Sequence, residues 1–368
     1  MAAVSGFGVF SSGGGAPRVG FQEGEEVVDL SGLGETFRQP SLNALLAHGP
    51  AAWREAVAAA QAHPGPRVPL AGTTLHLPFE VADYVDFSSS LEHALNMGRL
   101  FRPDGEALLP NWRRLPVAYH GRAGSVAVSG TGVVRPCGQL KEPGAAEPVY
   151  APTRRLDVEL ELGFVVGVPS RLGEPVPPAA FADHVFGVVL VNDWSARDIQ
   201  AWESAPLGPF LGKSFLTSIS AWVTPLSLLE PYRVEARPQE PPALPHLAGG
   251  RDWALDLDLE LELNGQVVSR GNARTLYWTM PQQLAHATSN GARLRTGDLM
   301  ASGTISGPER GSEGSLIELT RNGAEPLRLA DGSERAFLED GDEVVLRGRA
   351  GTVELGEVRG RVLPAQAL

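Results

Sequence analysis

A mainly β fold of the α+β class is predicted for this chain, arranged as two unequal domains. Three observations carry the prediction. Glycine (43) and proline (30) are numerous enough to punctuate many turns. From about Thr74 onward, short strand-like runs far outnumber helical ones. A length of 368 residues exceeds what one core of typical size organises, so a smaller and a larger unit are expected, over 1–78 and 79–368.

Taken in order, Gly6 to Phe10, Arg18 to Phe21 and Glu26 to Leu30 read as short strands separated by Gly and Ser. Ser41 is placed to cap a helical stretch with Leu42, Leu45 and Leu46 on one face. Pro50 suits the first residue of a second helix, which carries Trp53 and Val57 one turn apart. His63 to Gly72 is rich in Pro and Gly and reads as a linker. Strands are then expected at Ser125 to Ser129, Leu156 to Val168, Val185 to Asn192, Ala221 to Pro225, Trp253 to Leu263, Leu316 to Thr320 and Val344 to Leu346. Glu235 to Gly250 reads as an exposed loop, and Pro281 to Asn290 as a helix stopped by Gly291.

Composition excludes several classes of function. Apolar (43%) and charged (20%) fractions are those of a globular protein, against wholesale disorder. A net charge of −12 disfavours nucleic acid and anionic membrane as partners. Cys137 has no second cysteine to pair with, which favours a reducing, cytoplasmic setting. The first residues lack a basic stretch followed by an apolar one, so no signal peptide is expected. No apolar run approaches the ~18 residues of a membrane span.

The chemistry concentrates in a few segments. In LDVELELGFVVGV, side-chain alternation puts Asp157, Glu159 and Glu161 on one side of a strand. A solvated face would show the same alternation, and LDLDLELEL, with Asp256, Asp258, Glu260 and Glu262, is read as one because it leads into an Asn264-Gly265 turn. The first run instead continues into GFVVGV, a strand entering the core, and carboxylates at its mouth need a partner. In VNDWSARDIQ, a helix would set Asp193, Arg197 and Gln200 on one face, where a surface ion pair is the plainer reading. Lys213 lies between apolar residues in a Gly/Pro-rich loop, suited to meet developing negative charge. His93 and Arg102 follow Asp86 in one segment, although a lone histidine is more often structural than catalytic. Glycines around Thr304 allow close approach of backbone to a ligand, while Glu318, flanked by Ile317 and Leu319, reads by itself as a surface residue of a strand.

Together these segments resemble the fumarylacetoacetate hydrolase family from about Leu75 to Pro364. The likeness rests on LLPNWRRLPVAYHGR (Leu108 to Arg122), VNDWSARDIQ (Val191 to Gln200), PLGPFLGKSF (Pro206 to Phe215) and ASGTISGP (Ala301 to Pro308), which are too long for chance. The resemblance implies an SH3-like amino-terminal barrel, a larger β-roll domain and a homodimer. It implies that Asp86, Glu159, Glu161 and Asp193 ligate a metal, with a second cation near Asp193, Lys213 and Thr217. An all-oxygen shell suits Ca²⁺ or Mg²⁺. His93 matches a general base oriented by Glu318. Arg197, Gln200 and Lys213 match groups that stabilise negative charge, and Arg102, Tyr119, Gln200 and Thr304 match substrate contacts. Ser88 and Ser204 also fall at substrate-contacting positions, where the family usually has tyrosines, so the reaction class is better supported than the substrate.

The activity so implied is metal-dependent hydrolysis of a carbon–carbon bond in a small diketo acid, giving fumarate and acetoacetate in the last step of tyrosine breakdown. His93 would take a proton from water, hydroxide would attack a carbonyl carbon, and the departing carbanion would delocalise as an enolate near Arg197, Gln200 and Lys213. Rival readings are a related acylpyruvate hydrolase, a decarboxylase, and a non-catalytic metal-binding relative.

Overall fold

Strand after strand of the computed structural model, which describes residues 3–366, joins one extended mixed sheet with short helices around it. The termini of the two expected domains, 1–2 and 367–368, lie outside the described residues. The chain starts with three antiparallel strands, Val4–Ser12, Arg18–Glu23 and Glu26–Asp29. Residues read as a linker supply one more, and those just after it a second. Arg67–Pro69 pairs with Glu26–Val28, and Thr73–His76 pairs with Val9–Ser12. Pro69 donates no amide hydrogen, so it is tolerated only on an edge, and the Arg67–Pro69 strand is short and largely exposed.

Pro50–Ala62 forms the expected helix, its Trp53, Ala56, Val57 and Ala60 buried. Trp53 stacks edge-on against Phe186 at 5.5 Å, inside a core that also takes Phe7, Val9 and Phe21 from the first strands. The helical stretch after Ser41 spans only Asn43–Leu46, and the Ser41 hydroxyl accepts from the Asn43 amide at 3.2 Å, one residue before the N-cap.

In the larger region, Leu160–Val166 and Val185–Asp193 lie side by side, from Leu160 opposite Asn192 to Val166 opposite Val185. Both are buried on both faces, which is why they read as nearly continuous apolar runs. Leu156–Asp157 is a separate short strand against Ser195–Ala196, so the expected strand is broken at Val158 and Glu159. The hairpin Asp258–Leu263 and Gln266–Asn272 turns at Asn264, whose φ is 50°. Its acidic side is solvent-facing while Leu259, Leu261 and Leu263 are buried, as expected. The helix expected over Pro281 to Asn290 spans Met280–Thr288, opened by a Thr279–Gln282 capping box.

One element differs in kind. Leu316–Leu319 is a helical turn, not a strand, and Glu318 within it is buried. The Asp157 carboxylate accepts the amides of Leu316 (2.8 Å) and Ile317 (3.2 Å), satisfying first-turn donors that a helix leaves unpaired. Local sequence favours extended chain there; a carboxylate from a distant strand overrides it.

Candidate active site

Four carboxylates converge where three strand ends meet. Asp86 sits on Tyr84–Phe87, opposite Ala301 on one side and Tyr119 on the other. Glu161 lies on Leu160–Val166, Asp193 ends Val185–Asp193 opposite Thr217, and Glu159 bridges to Ser315. Each offers an oxygen within 4.8 Å of the others, and all four residues are buried. Burial pushes the Asp86 and Glu161 carboxyls well above the ordinary range, and each suffers from its acidic neighbours. Burial would also raise Glu159, but the adjacent Lys213 ammonium and Arg197 guanidinium hold it below that range.

The cationic partners do not balance the cluster. Lys213 Nζ donates to Glu159 Oε2 and, at 2.8 Å, to Asp193 Oδ2. Arg197 shares its guanidinium between Asp157 (2.8 Å) and Glu159 (2.7 Å), and its Nη1 donates to Gln200 Oε1 at 3.3 Å. Asp86 Oδ1 and Glu161 Oε1 are buried with no hydrogen-bond partner. Unpaired, close-set carboxylate oxygens in a buried site fit a hard divalent cation, which would supply the missing positive charge and accept an all-oxygen shell.

Expected helical spacing of Asp193 and Arg197 is not what joins this site. Asp193 ends a strand, the helix Arg197–Glu203 begins four residues later, and Arg197 turns to Asp157 and Glu159 instead. Thr217 donates to Asp193 Oδ1 and Tyr119 to Asp193 Oδ2, both at 2.8 Å. An ammonium, that of Lys213, therefore already stands where the resemblance implies a second cation.

His93 faces the cluster from the helix Leu91–Phe101, whose N-cap is Ser90. Its Nδ1 lies 2.7 Å from Glu318 Oε2. Glu318 also accepts from Ser315 (2.6 Å), Asn96 (2.9 Å) and Ser306 (3.0 Å). Burial would raise its carboxyl, but His93 and these donors hold it below the usual range, as a carboxylate. An ionised acceptor requires Nδ1 of His93 to carry the hydrogen, which leaves Nε2 free as a base.

A cavity of about 440 Å³ opens onto both groups, and Asp86, His93, Glu159, Arg197, Gln200 and Lys213 line it. Thr304 Oγ1 is buried there without a partner. Gly303, at φ 75°, passes so close to the Phe87 carbonyl that a Cβ would lie 2.0 Å from it. Arg102 stands at the mouth, its Nε and Nη2 donating to the carbonyls of Glu106 and Ala107. Ser88 is in the wall and accepts the Trp112 indole N–H at 3.2 Å. Ser204 is not part of the lining; its hydroxyl donates to the Gln200 carbonyl.

Sequence reading missed the groups that hold these in place. Asn96 is three residues beyond His93, a helical spacing that could have flagged it. Asp157 shares the alternation of Glu159, but its partners Arg197 and the Leu316 turn are distant in sequence. Ser306 lies within ASGTISGP, although nothing in that motif points to Glu318, and nothing local marks Ser315.

The family model described as fumarylacetoacetate (FAA) hydrolase C-terminal matches residues 84–363. This chain belongs to the fumarylacetoacetate hydrolase family. Among curated members it is similar to fumarylacetoacetase of Homo sapiens, 44% identical over 98% of this chain and 95% of that one. Fumarylacetoacetase of Arabidopsis thaliana is 43% identical over 98% and 94%. The same fold appears in the solved fumarylacetoacetate hydrolase of Exiguobacterium antarcticum, with TM-score 0.61, 17% identity, and 98% and 99% of the two chains covered. A Sphingobium maleylpyruvate hydrolase, solved with manganese(II) and pyruvate, matches at TM-score 0.57 and 18% identity over 99% and 100%.

Proposed function

We infer that this chain is a fumarylacetoacetase, hydrolysing fumarylacetoacetate to fumarate and acetoacetate. The observation that carries the reading is a carboxylate–imidazole pair, Glu318 to His93 at 2.7 Å, opening on the same cavity as a four-carboxylate cluster. Near full-length identity to fumarylacetoacetases supports the substrate.

Asp86, Glu159, Glu161 and Asp193 would hold Ca²⁺ or Mg²⁺, which when bound polarises the oxygens of a diketo acid. His93 Nε2 removes a proton from water, and Glu318 stabilises the imidazolium that results. Hydroxide adds to a carbonyl carbon, the carbon–carbon bond breaks with its electron pair on the acetoacetate fragment, and that carbanion takes the proton held on His93, which restores the base. Lys213, with two of its three N–H donors spent on carboxylates, can aim the third at that charge. Gln200 accepts from Arg197 through its oxygen, so its amide N–H₂ is free to donate into the cavity. Arg102, Tyr119 and Thr304 are proposed to contact substrate.

We take the domain organisation to be an SH3-like unit over 1–78 and a β-roll over 79–368. Its support is the sequential pairing of the first strands, Arg67–Pro69 on Glu26–Asp29, Arg18–Glu23, Val4–Ser12, then Thr73–His76. A homodimer suits the exposed apolar side chains Leu207 and Phe210. Cytoplasmic location suits the single free Cys137, and no helix among the described residues is long and apolar enough to cross a membrane.

Ser88, which lines the cavity, favours a second reading, an acylpyruvate hydrolase of the same family. Ser88 brings no phenol to the cavity, and its hydroxyl is occupied by the Trp112 indole. Loss of fumarylacetoacetate absorbance with purified protein tests the first reading. Turnover abolished by chelator and restored by Ca²⁺ or Mg²⁺ is expected. No turnover on fumarylacetoacetate, with turnover on acylpyruvates, selects the second. Carbon dioxide release would replace both with a decarboxylase.

A further inference from the structure

Lys213 reaches the carboxylate cluster from the turn Leu211–Ser214, and something must hold that turn in place. The way into it is poorly anchored by burial: Leu207 is 96% exposed and Phe210 58%, and Leu211, the first residue of the turn, 49%. One carboxylate fastens it. Glu203 Oε1 accepts the amides of Phe210 (2.8 Å) and Gly212 (2.7 Å), and Oε2 accepts that of Leu211 (3.0 Å). Gly212 sits against the preceding helix so tightly that a Cβ would lie 2.8 Å from the Gln200 amide. Glu203 is the last residue of the helix that carries Arg197 and Gln200, so a single side chain ties the Lys213 turn to the helix presenting the other two polar groups.

We propose that Glu203 is a positioning residue that sets the Lys213 ammonium on Glu159 and Asp193. It does not line the cavity and acts only through the backbone it grips. Three hydrogen bonds to one ionised acceptor are stronger than neutral ones and cannot be replaced by water without loosening the turn. A displaced Lys213 has two consequences of opposite sign. Positive charge is lost where negative charge develops, so turnover falls. The same charge is lost beside the carboxylates, so a divalent cation meets a more negative site and binds more tightly. General destabilisation would weaken both together.

The inference rests on the reading of the cluster as a cation site. Its test uses the full chain, freed of metal, in four forms: wild type, Glu203→Ala, Glu203→Gln and Lys213→Met. Ca²⁺ affinity is measured by calorimetry on the metal-free forms, and turnover by absorbance after each is reloaded with saturating Ca²⁺. Glu203→Ala should lose about tenfold or more in kcat while binding Ca²⁺ about threefold more tightly, the direction shown by Lys213→Met. Glu203→Gln keeps an oxygen for Phe210 and Gly212 and loses the acceptor for Leu211, so it should fall between wild type and Ala, and it stands in for Ala if that variant does not fold. Ca²⁺ affinity and turnover within twofold of wild type in Glu203→Gln and Glu203→Ala overturn the role, as does weaker Ca²⁺ binding in parallel with lost activity. A wild-type protein that binds neither Ca²⁺ nor Mg²⁺ removes the cation reading itself, and this proposal with it.

Discussion

Replacing Glu318 by glutamine preserves the length of the side chain and removes its charge. Around it, the Ser306 and Ser315 hydroxyls can rotate and the Asn96 amide can turn over, so those hydrogen bonds survive in altered sense. The bond to His93 Nδ1, 2.7 Å long, cannot adapt without cost. If the glutamine amide donates to Nδ1, the hydrogen moves to Nε2 and the face toward the cavity is no longer a base. If its oxygen accepts, the imidazolium formed during reaction lacks a counter-charge. A hydrogen bond to a charged partner contributes about 1.5–3 kcal/mol, and each ~1.4 kcal/mol is tenfold in rate. Steady-state hydrolysis should therefore fall by about 10²-fold in kcat/KM, with Ca²⁺ affinity unchanged because Glu318 lies outside the carboxylate cluster. A Glu318→Gln protein within threefold of wild type would refute the assignment of His93 as an oriented base.

Three further outcomes are expected. His93→Ala should lose about 10²-fold or more in turnover yet keep its calorimetric Ca²⁺ affinity; parallel loss of both would mean His93 shapes the cation site. Glu159→Gln should bind Ca²⁺ or Mg²⁺ weakly and release part of the hold on Arg197 and Lys213, which both contact Glu159; unchanged affinity would remove Glu159 from the ligand set. Asp298, pushed by burial up to about 6, keeps a proton in the folded state that the unfolded chain surrenders near its ordinary value. Its contribution is thus present at low pH and lost as pH rises through 6. Asparagine can still accept the Arg295 amide, so Asp298→Asn should be close to wild type near pH 4 and gain about 3 kcal/mol above pH 7 in urea melts; a gain independent of pH would show that burial of the charge is not the cause.

Strands and helices with an unbroken local pattern were legible in the sequence. Val185–Asp193, Met280–Thr288 and the Asp258–Leu263 hairpin follow their periodicity because apolar burial and capping act locally. Two misreadings have one physical origin. The Leu316–Leu319 turn and the Arg67–Pro69 strand are decided by partners far away in sequence, the Asp157 carboxylate and the Glu26–Asp29 strand. Alternation around Glu159 and Glu161 was visible but ambiguous, since Asp258 and Glu260 alternate equally well and face water. Family likeness, not spacing, joined Asp86 and Asp193 to them. The shell behind the site, Asn96, Ser306 and Ser315 around Glu318, is a property of three-dimensional packing and has no sequence period to betray it.

The first strand has a consequence for how the chain is made. Val4–Ser12 is flanked by Arg18–Glu23, an early neighbour, but also by Trp222–Pro225, and Val4 lies parallel to Val353. During synthesis the amino-terminal hairpin leaves the ribosome with open edges that stay unsatisfied until nearly the whole chain has emerged. Such long-range closure makes folding slow and leaves the nascent protein open to edge-to-edge aggregation. A ribosome stalled short of Val353 would release a chain with an intact Lys213 and His93 and no finished sheet to carry them.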